Sequence, residues 1–351
     1  MATTEEEFAD RVFAAALGAI DTYAIHLGDR LGFYRALADS DALTARELAA
    51  ASGCSERYAR EWLEQQATSG IVEVDLTGEE ARFRLPPEHA TVLVDAQSSL
   101  YLAPLARMLT TSGTRMDELL EAYRTGGGVS WADFGRGLRE SQADMNQPFF
   151  ANELPAVLRD IPGLAEVLSR DRARVADIGC GAGWSSIAIA GAYPNASVHG
   201  VDVDEPSLAM ARANAEASGV DDRVTFSATA GEDSRAHDAV FAFECVHDMP
   251  QPVAVLGEMR RLARGDGRVI VMDEAVGERF TGDADDVERL MYGFSLLVCL
   301  PDGLSSSPSL GTGTVMRPPL LQEYATAAGF SEVRTVAEAG FFRFYELVPA
   351  G

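Results

Sequence analysis

The 351-residue sequence has no lysine; all 29 of its basic residues are arginine. This excludes a lysine Schiff base and the lysine of a Walker-type phosphate loop. Cysteine is scarce. The four residues Cys54, Cys180, Cys245 and Cys299 are too far apart for a metal-type pair or a disulfide framework, so neither a metal nor a disulfide is expected. No run of about 18 apolar residues occurs, so no membrane span is expected. The acidic opening MATTEEEFAD does not read as a secretory signal, and the cytoplasm is the default compartment. Positive charge is outweighed: 54 acidic side chains leave a formal net charge of −25. That balance opposes binding to nucleic acid or to an anionic membrane.

What is present is a chain of 47% hydrophobic residues, long enough for two modest domains around sizeable cores. Phe8, Val12, Ala16, Ile20, Tyr23, Leu27, Leu31 and Tyr34 recur every three or four residues, which predicts helix over 8–38. Thr44 begins TARELAAASG with Glu47 three residues on, the pattern of a capping box. A turn, a second helix in ERYAREWLEQQATSG, and two short strands, IVEV and FRL, follow. Helix, turn, helix and hairpin make a winged helix over residues 1–90. Between Asp41 and Ala90 it carries 10 acidic and 5 basic side chains, and Arg57 and Arg60 stand among Glu56, Glu61 and Glu64. A DNA-reading helix needs cations free to reach phosphates and base edges. The expectation is therefore a module for dimerisation and for covering a substrate.

Residues 91–165 read as a helical connector, interrupted at RTGGGVSWADFG. Its glycines can hinge, and Trp131 and Phe134 are either lid residues or ordinary core. From 166 to 351 strands and helices alternate: RVADIG, SVHGVDVD, DAVFAFEC and GRVIVMDEA are strands with helices between them. The end, AGFSEVRTV then FFRFYELVP, suggests an antiparallel hairpin. The fold class expected is α/β: a Rossmann-like, seven-stranded sheet behind a mainly helical winged-helix domain. Ligands in such sheets bind at the carboxyl ends of the strands, where strand order reverses.

The first strand runs into ADIGCGAGWSS, with Gly179, Gly181 and Gly183 around Cys180, and Asp177 two residues ahead. Dinucleotide folds use Gly-x-Gly-x-x-Gly; here the third glycine comes one position early and Trp184 fills the dinucleotide position. An acid beside a pyrophosphate is unfavourable. S-adenosylmethionine carries no phosphate but an ammonium and a sulfonium, which an acid at the strand end favours directly or through water. Asp202 ends the second strand and can accept both hydroxyls of a ribose; Val203 offers adenine an apolar face. These residues resemble the first two motifs of the class I S-adenosylmethionine-dependent methyltransferases, an acid with Gly-x-Gly-x-Gly and a second-strand acid. The resemblance implies S-adenosylmethionine as cofactor. It departs at the third strand: FSATAGED puts Ala230 and Gly231 where an adenine-binding acid is frequent. Adenine is then held by backbone there, or by Glu232 or Asp233.

The fourth strand ends in FECVHDMPQP. Glu244 and Cys245 fall where the backbone of the family meets the ligand's amino group. His247 and Asp248 match part of the His-Asp-aromatic motif of small-molecule O-methyltransferases that carry an N-terminal winged-helix dimerisation domain. By this resemblance His247 is the general base, and Asp273 or Glu274, after the fifth strand, orients it. Met249 stands where an aromatic is usual, which separates the chain from the plant phenolic branch and brings it closer to bacterial members. Methyl transfer to a hydroxyl needs alignment and removal of a proton, and histidine suits that near neutral pH. The expected function is methyl transfer to a small-molecule acceptor, as a homodimer. An S-adenosylmethionine-sensing transcriptional regulator, transfer to nitrogen, sulfur or carbon, and a nicotinamide enzyme are the alternatives. The segment RLMYGFSLLVCLPDGLSSSPSLGTGTVMRPP reads as a helix followed by a loop and supplies no ranked site residue.

Overall fold

The computed structural model describes residues 4–231 and 235–350, and the chain divides after Thr111 into two compact units. The first opens with helix α1 (Glu5–Arg30), started by a capping box between Thr4 and Glu7. The helix predicted over 8–38 is broken: Gly32 adopts the left-handed conformation and α2 (Phe33–Ala38) sets off in a new direction. Without a Cβ, glycine takes that turn at little cost. Thr44 caps α3 (Ala45–Ser52), with the reciprocal hydrogen bonds of the predicted box to Glu47 at 3.2 and 2.8 Å. Helix α4 (Glu56–Thr68) and the antiparallel strands β1 (Glu73–Asp75) and β2 (Arg82–Arg84) complete the winged helix. Phe33, Tyr34, Leu37, Leu48, Leu63 and Phe83 form its core. Helix α1 docks through Gly28, where a Cβ would lie 2.4 Å from the Trp62 ring. Most of its apolar face is open: Phe8, Val12, Phe13, Ile20, Tyr23 and Leu27 are each more than half exposed. Helix α5 (Pro87–Leu93) follows, and α6 (Ala103–Gly113) runs past the division.

The second unit begins with α7 (Met116–Thr125) and α8 (Trp131–Asn152), the latter kinked where Gly135 leaves helical geometry. The predicted interruption is the loop between them. It is fastened by Val129 N–H donating to the Pro301 carbonyl (3.0 Å) and Trp131 N–H donating to Asp302 Oδ1 (2.7 Å). Phe134 is buried, so it is core. Helices α9 (Leu154–Asp160) and α10 (Leu164–Leu168) lead into the sheet.

The alternation runs β3 (Arg174–Ile178), α11 (Trp184–Ala192), β4 (Ser197–Val201), α12 (Glu205–Ala217) and β5 (Val224–Ser227). It continues through β6 (His237–Phe243), α13 (Pro252–Leu262) and β7 (Ala263–Glu274). Then come α14 (Asp286–Phe294), a π-helical turn (Ser295–Cys299), α15 (Leu300–Leu304) and α16 (Pro318–Ala327). The π-turn replaces the regular helix predicted there. Strands β8 (Phe330–Ala339) and β9 (Phe342–Pro349) form the expected hairpin. The seven strands order as β5-β4-β3-β6-β7-β9-β8. Strands β5 to β7 pair in parallel, and β9 runs antiparallel between β7 and β8. Apolar strand residues alternate between two cores, Val175, Phe241 and Ile270 on one face and Ala176, Val240 and Val271 on the other. The order reverses between β3 and β6, so the glycine turn after β3 and the segment after β6 flank the crevice where ligands bind in such folds. Among the described residues no helix is long and apolar enough to cross a membrane.

Candidate active site

The turn after β3 has left-handed φ at Gly179, Gly181 and Gly183. Two of these positions also need the missing side chain. At Gly179 a Cβ would lie 2.6 Å from Cys245 Sγ, and at Gly183 it would lie 2.8 Å from the Phe226 ring. Gly181 faces open space, the free approach a ligand needs. Asp202 closes the turn: its Oδ2 accepts from Gly181 N–H at 2.8 Å and its Oδ1 from Asp204 N–H at 2.9 Å. Each carboxylate oxygen keeps acceptor capacity for a ribose hydroxyl. Val203 beside it is 91% exposed, an apolar surface left for a planar base. Asp204 caps α12 and is paired with Arg139 of α8 at 2.6 and 2.8 Å.

Asp177 lies elsewhere than the ligand-facing position expected for it. It is fully buried, and its Oδ2 accepts from the hydroxyls of Ser185 and Ser186 at 2.6 Å each. It therefore ties strand β3 to the first turn of α11 from behind the glycine loop. Burial pushes its carboxyl up to about 6, against the pull of the two serines. Cys180 is buried too, with its thiol against Gly200 of β4, so only its backbone faces the turn. Gly231 is exposed and left-handed, and its carbonyl accepts from Arg261. Glu232 and Asp233 lie outside the described residues.

Across the crevice, Glu244 follows β6 with φ 51°, a left-handed conformation that is costly for a side chain of its size. Its N–H donates to the Met272 carbonyl at 2.9 Å, and its Oε2 accepts from Asn146 of α8 at 3.0 Å. These bonds hold the bend that carries His247 inward. Burial raises the Glu244 carboxyl to about 7, partly offset by the Asn146 amide. His247 is buried, and its Nδ1 lies 2.9 Å from Asp273 Oδ1 and 3.3 Å from Glu274 Oε2. Its Nε2 lies 3.1 Å from Asp248 Oδ1. Burial disfavours charge on the ring, but Asp248, Asp273 and Glu274 outweigh it and hold the pKa well above that of free histidine. Asp273 faces the same burial, yet the adjacent ring keeps its carboxyl below the usual range. Glu274 goes the other way: burial and the Asp273 charge drive its carboxyl well upward. His247 and Asp273 thus favour their charged forms together, and Glu274 is pushed toward its neutral form beside them.

Sequence reasoning named His247, Asp273 and Glu274 from separate segments, and the structure brings all three together. It did not find Asn146, Arg139, Cys299 or Thr314. None of these carries a local signal: Asn146 and Arg139 come from the helical connector, and Cys299 arrives through the π-turn. A residue of the last loop also fastens this segment, since Gly313 N–H donates to the His247 carbonyl at 3.1 Å.

Residues 169–300 match the family described as "Methyltransferase domain", and residues 19–95 match the "Rv2258c-like winged HTH domain". Among curated proteins, 27-O-demethylrifamycin SV methyltransferase of Amycolatopsis mediterranei (strain S699) is 34% identical over 121 residues, 33% of this chain and 44% of that protein. The chain thus spans less than half the length of this relative. Over whole chains the fold is shared with human N-acetylserotonin methyltransferase solved with its cofactor (TM-score 0.76, 16% identity, 100% of both chains covered). It is also shared with mitomycin 7-O-methyltransferase MmcR (TM-score 0.74, 22% identity, 97% of this chain and 98% of that one). At these identities the likeness establishes the fold. Sequence motif, sheet order and family matches converge: the chain carries a methyltransferase domain of the class I S-adenosylmethionine-dependent fold, preceded by a winged-helix domain.

Proposed function

We propose that the protein is an S-adenosylmethionine-dependent methyltransferase acting on a hydroxyl of a small molecule, with His247 as general base. The cradle of Asp273, Glu274 and Asp248 around His247, across the crevice from the glycine turn, is the observation that carries this reading. When bound, the cofactor supplies a methyl group activated by its sulfonium. The fit is supported by the open face at Gly181, the exposed Val203 and the carboxylate of Asp202. Asp273 accepts the Nδ1 proton of His247, which orients the ring and leaves Nε2 as the basic position. The carboxylates strengthen the ring as a base at the cost of leaving it free less often. A hydroxyl is favoured because the rifamycin relative is named for transfer to oxygen. Expressed per bound cofactor, the rate of His247→Ala should fall about 10²–10⁴-fold, the usual share of acid–base catalysis, while S-adenosylhomocysteine binding stays near that of the parent. A variant with the parent's turnover on a hydroxyl acceptor would return His247 to a structural role.

The same reading includes a two-fold dimer through α1, in the cytoplasm. The helix is 26 residues long and leaves Phe8, Phe13, Ile20 and Tyr23 more than half exposed. An apolar stripe of that length suits a self-complementary interface. On α4, by contrast, Arg57 pairs with Glu61 and Arg60 with Glu56, which leaves this helix poorly equipped for DNA. Light scattering should give twice the 37.6 kDa chain mass, and Phe13→Asp with Ile20→Asp should shift it to monomer. A monomeric parent at tens of micromolar protein (roughly the concentration at which weak dimers form) contradicts the dimer.

A further inference from the structure

Asp248 lies against the nitrogen of His247 that Asp273 leaves free. The Nε2–Oδ1 distance is 3.1 Å, yet Oδ1 is buried and has no hydrogen-bond partner, so it lies off the line of the ring's N–H. Cys299 Sγ joins them: the three ligand atoms are all within 4.8 Å of one another. The π-turn over Ser295–Cys299 delivers this thiol. Thr314, only 2% exposed, faces the Cys299 thiol. On its far side His247 gives Nδ1 to Asp273 at 2.9 Å.

We propose that His247 Nε2, Asp248 Oδ1 and Cys299 Sγ form a binding site for zinc, or for another divalent ion that accepts thiolate. An imidazole, a carboxylate and a thiolate are a zinc donor set, and the Asp273–His247 contact is the outer hydrogen bond that orients a metal-bound imidazole. Zinc bonds of about 2.0–2.3 Å imply ligand–ligand distances of about 3.3–3.8 Å in a tetrahedron, a little above the 3.1 Å between Nε2 and Oδ1 and under the 4.8 Å that bounds all three atoms. Binding would form the Zn–S and Zn–N bonds and release the thiol proton, together with the ring's Nε2 proton, to solvent. The fourth position would fall to water or to a ligand from the crevice. This departs from the sequence expectation, because His247 and Cys299 are 52 residues apart in the chain and share no motif.

One consequence rests on the general-base reading: a metal on Nε2 takes the lone pair that accepts the acceptor's proton, so zinc should inhibit. The site itself is tested without turnover. Full-length protein, freed of metal by a chelator, is titrated with cobalt(II). The expected result is one ion per chain, with the visible bands of tetrahedral cobalt and a thiolate-to-cobalt charge-transfer band. Cys299→Ser should abolish the charge-transfer band, and Asp248→Asn should weaken cobalt and zinc binding by about 10–100-fold with the band retained. S-adenosylhomocysteine binding reports that each variant is folded; should Cys299→Ser not fold, Asp248→Asn decides on affinity. Absence of tetrahedral cobalt bands in the parent overturns the site, as does a charge-transfer band that survives in folded Cys299→Ser, since it then belongs to Cys54, Cys180 or Cys245. Stoichiometric zinc that displaces the bound cobalt and its bands yet leaves turnover unchanged would overturn His247 as base and leave the metal site standing.

Discussion

Around the Gly179–Gly183 turn the chain offers mostly backbone: three left-handed glycines, amides held by Asp202, and an open face at Gly181. Around His247 it offers mostly side chains, drawn from β7, the β6 bend, the π-turn and α8. The difference is one of locality. A backbone site is made by residues that are neighbours in sequence, and its tolerance is limited by sterics. The side-chain site is made by residues scattered over more than 160 positions, from Asn146 to Thr314. Its behaviour is governed by which of several buried acids holds the charge. Damage to the first should cost cofactor binding, and damage to the second should cost turnover.

The largest effect on that contrast is expected from Gly179→Val. A Cβ there would meet Cys245 Sγ at 2.6 Å and Cys245 Cβ at 2.9 Å, at a φ of +71° that valine resists. Calorimetry with S-adenosylhomocysteine should show at least a 100-fold loss of affinity, roughly 3 kcal/mol or more. Parent-like binding would mean that the turn is less constrained than its geometry indicates.

Asp273→Asn probes the other half and should act through turnover. The amide keeps the shape but removes the charge that orients the His247 ring, so the rate should drop about 10–100-fold at unchanged cofactor affinity. A loss confined to cofactor affinity would merge the two halves and remove the distinction drawn here.

A smaller effect is expected from Asp177→Asn, read in stability and not in activity. The Asp177 carboxyl is raised from 3.8 to about 6 in the folded chain, so the folded state holds its proton more tightly than the unfolded state. Its contribution is then fully present below about pH 4 and is lost as pH rises through about 6, a change on the order of 2–3 kcal/mol. Denaturant titrations at pH 4 and pH 7 should show this difference between parent and variant. An equal gap between the two proteins at both pH values would mean that Asp177 is ionised throughout.

The sequence by itself determined the alternation of strands and helices, the capping box at Thr44, the glycine turn and the acid at Asp202. Each of these is fixed by short-range sterics and hydrogen bonding among residues a few positions apart. His247, Asp273 and Glu274 came forward through the resemblance to small-molecule O-methyltransferases, and their segments share the carboxyl edge of the parallel sheet. Only tertiary structure decided the rest. Asp177 turned inward because Ser185 and Ser186, one helical turn beyond the glycines, outbid solvent for its carboxylate. Glu274 is pushed toward its neutral form while Asp273 is held toward its charged one, because one buried cation supports a second carboxylate poorly in a low dielectric. Cys299 and Thr314 reached His247 through a π-turn and a loop packing, and no periodicity in the chain announces either one.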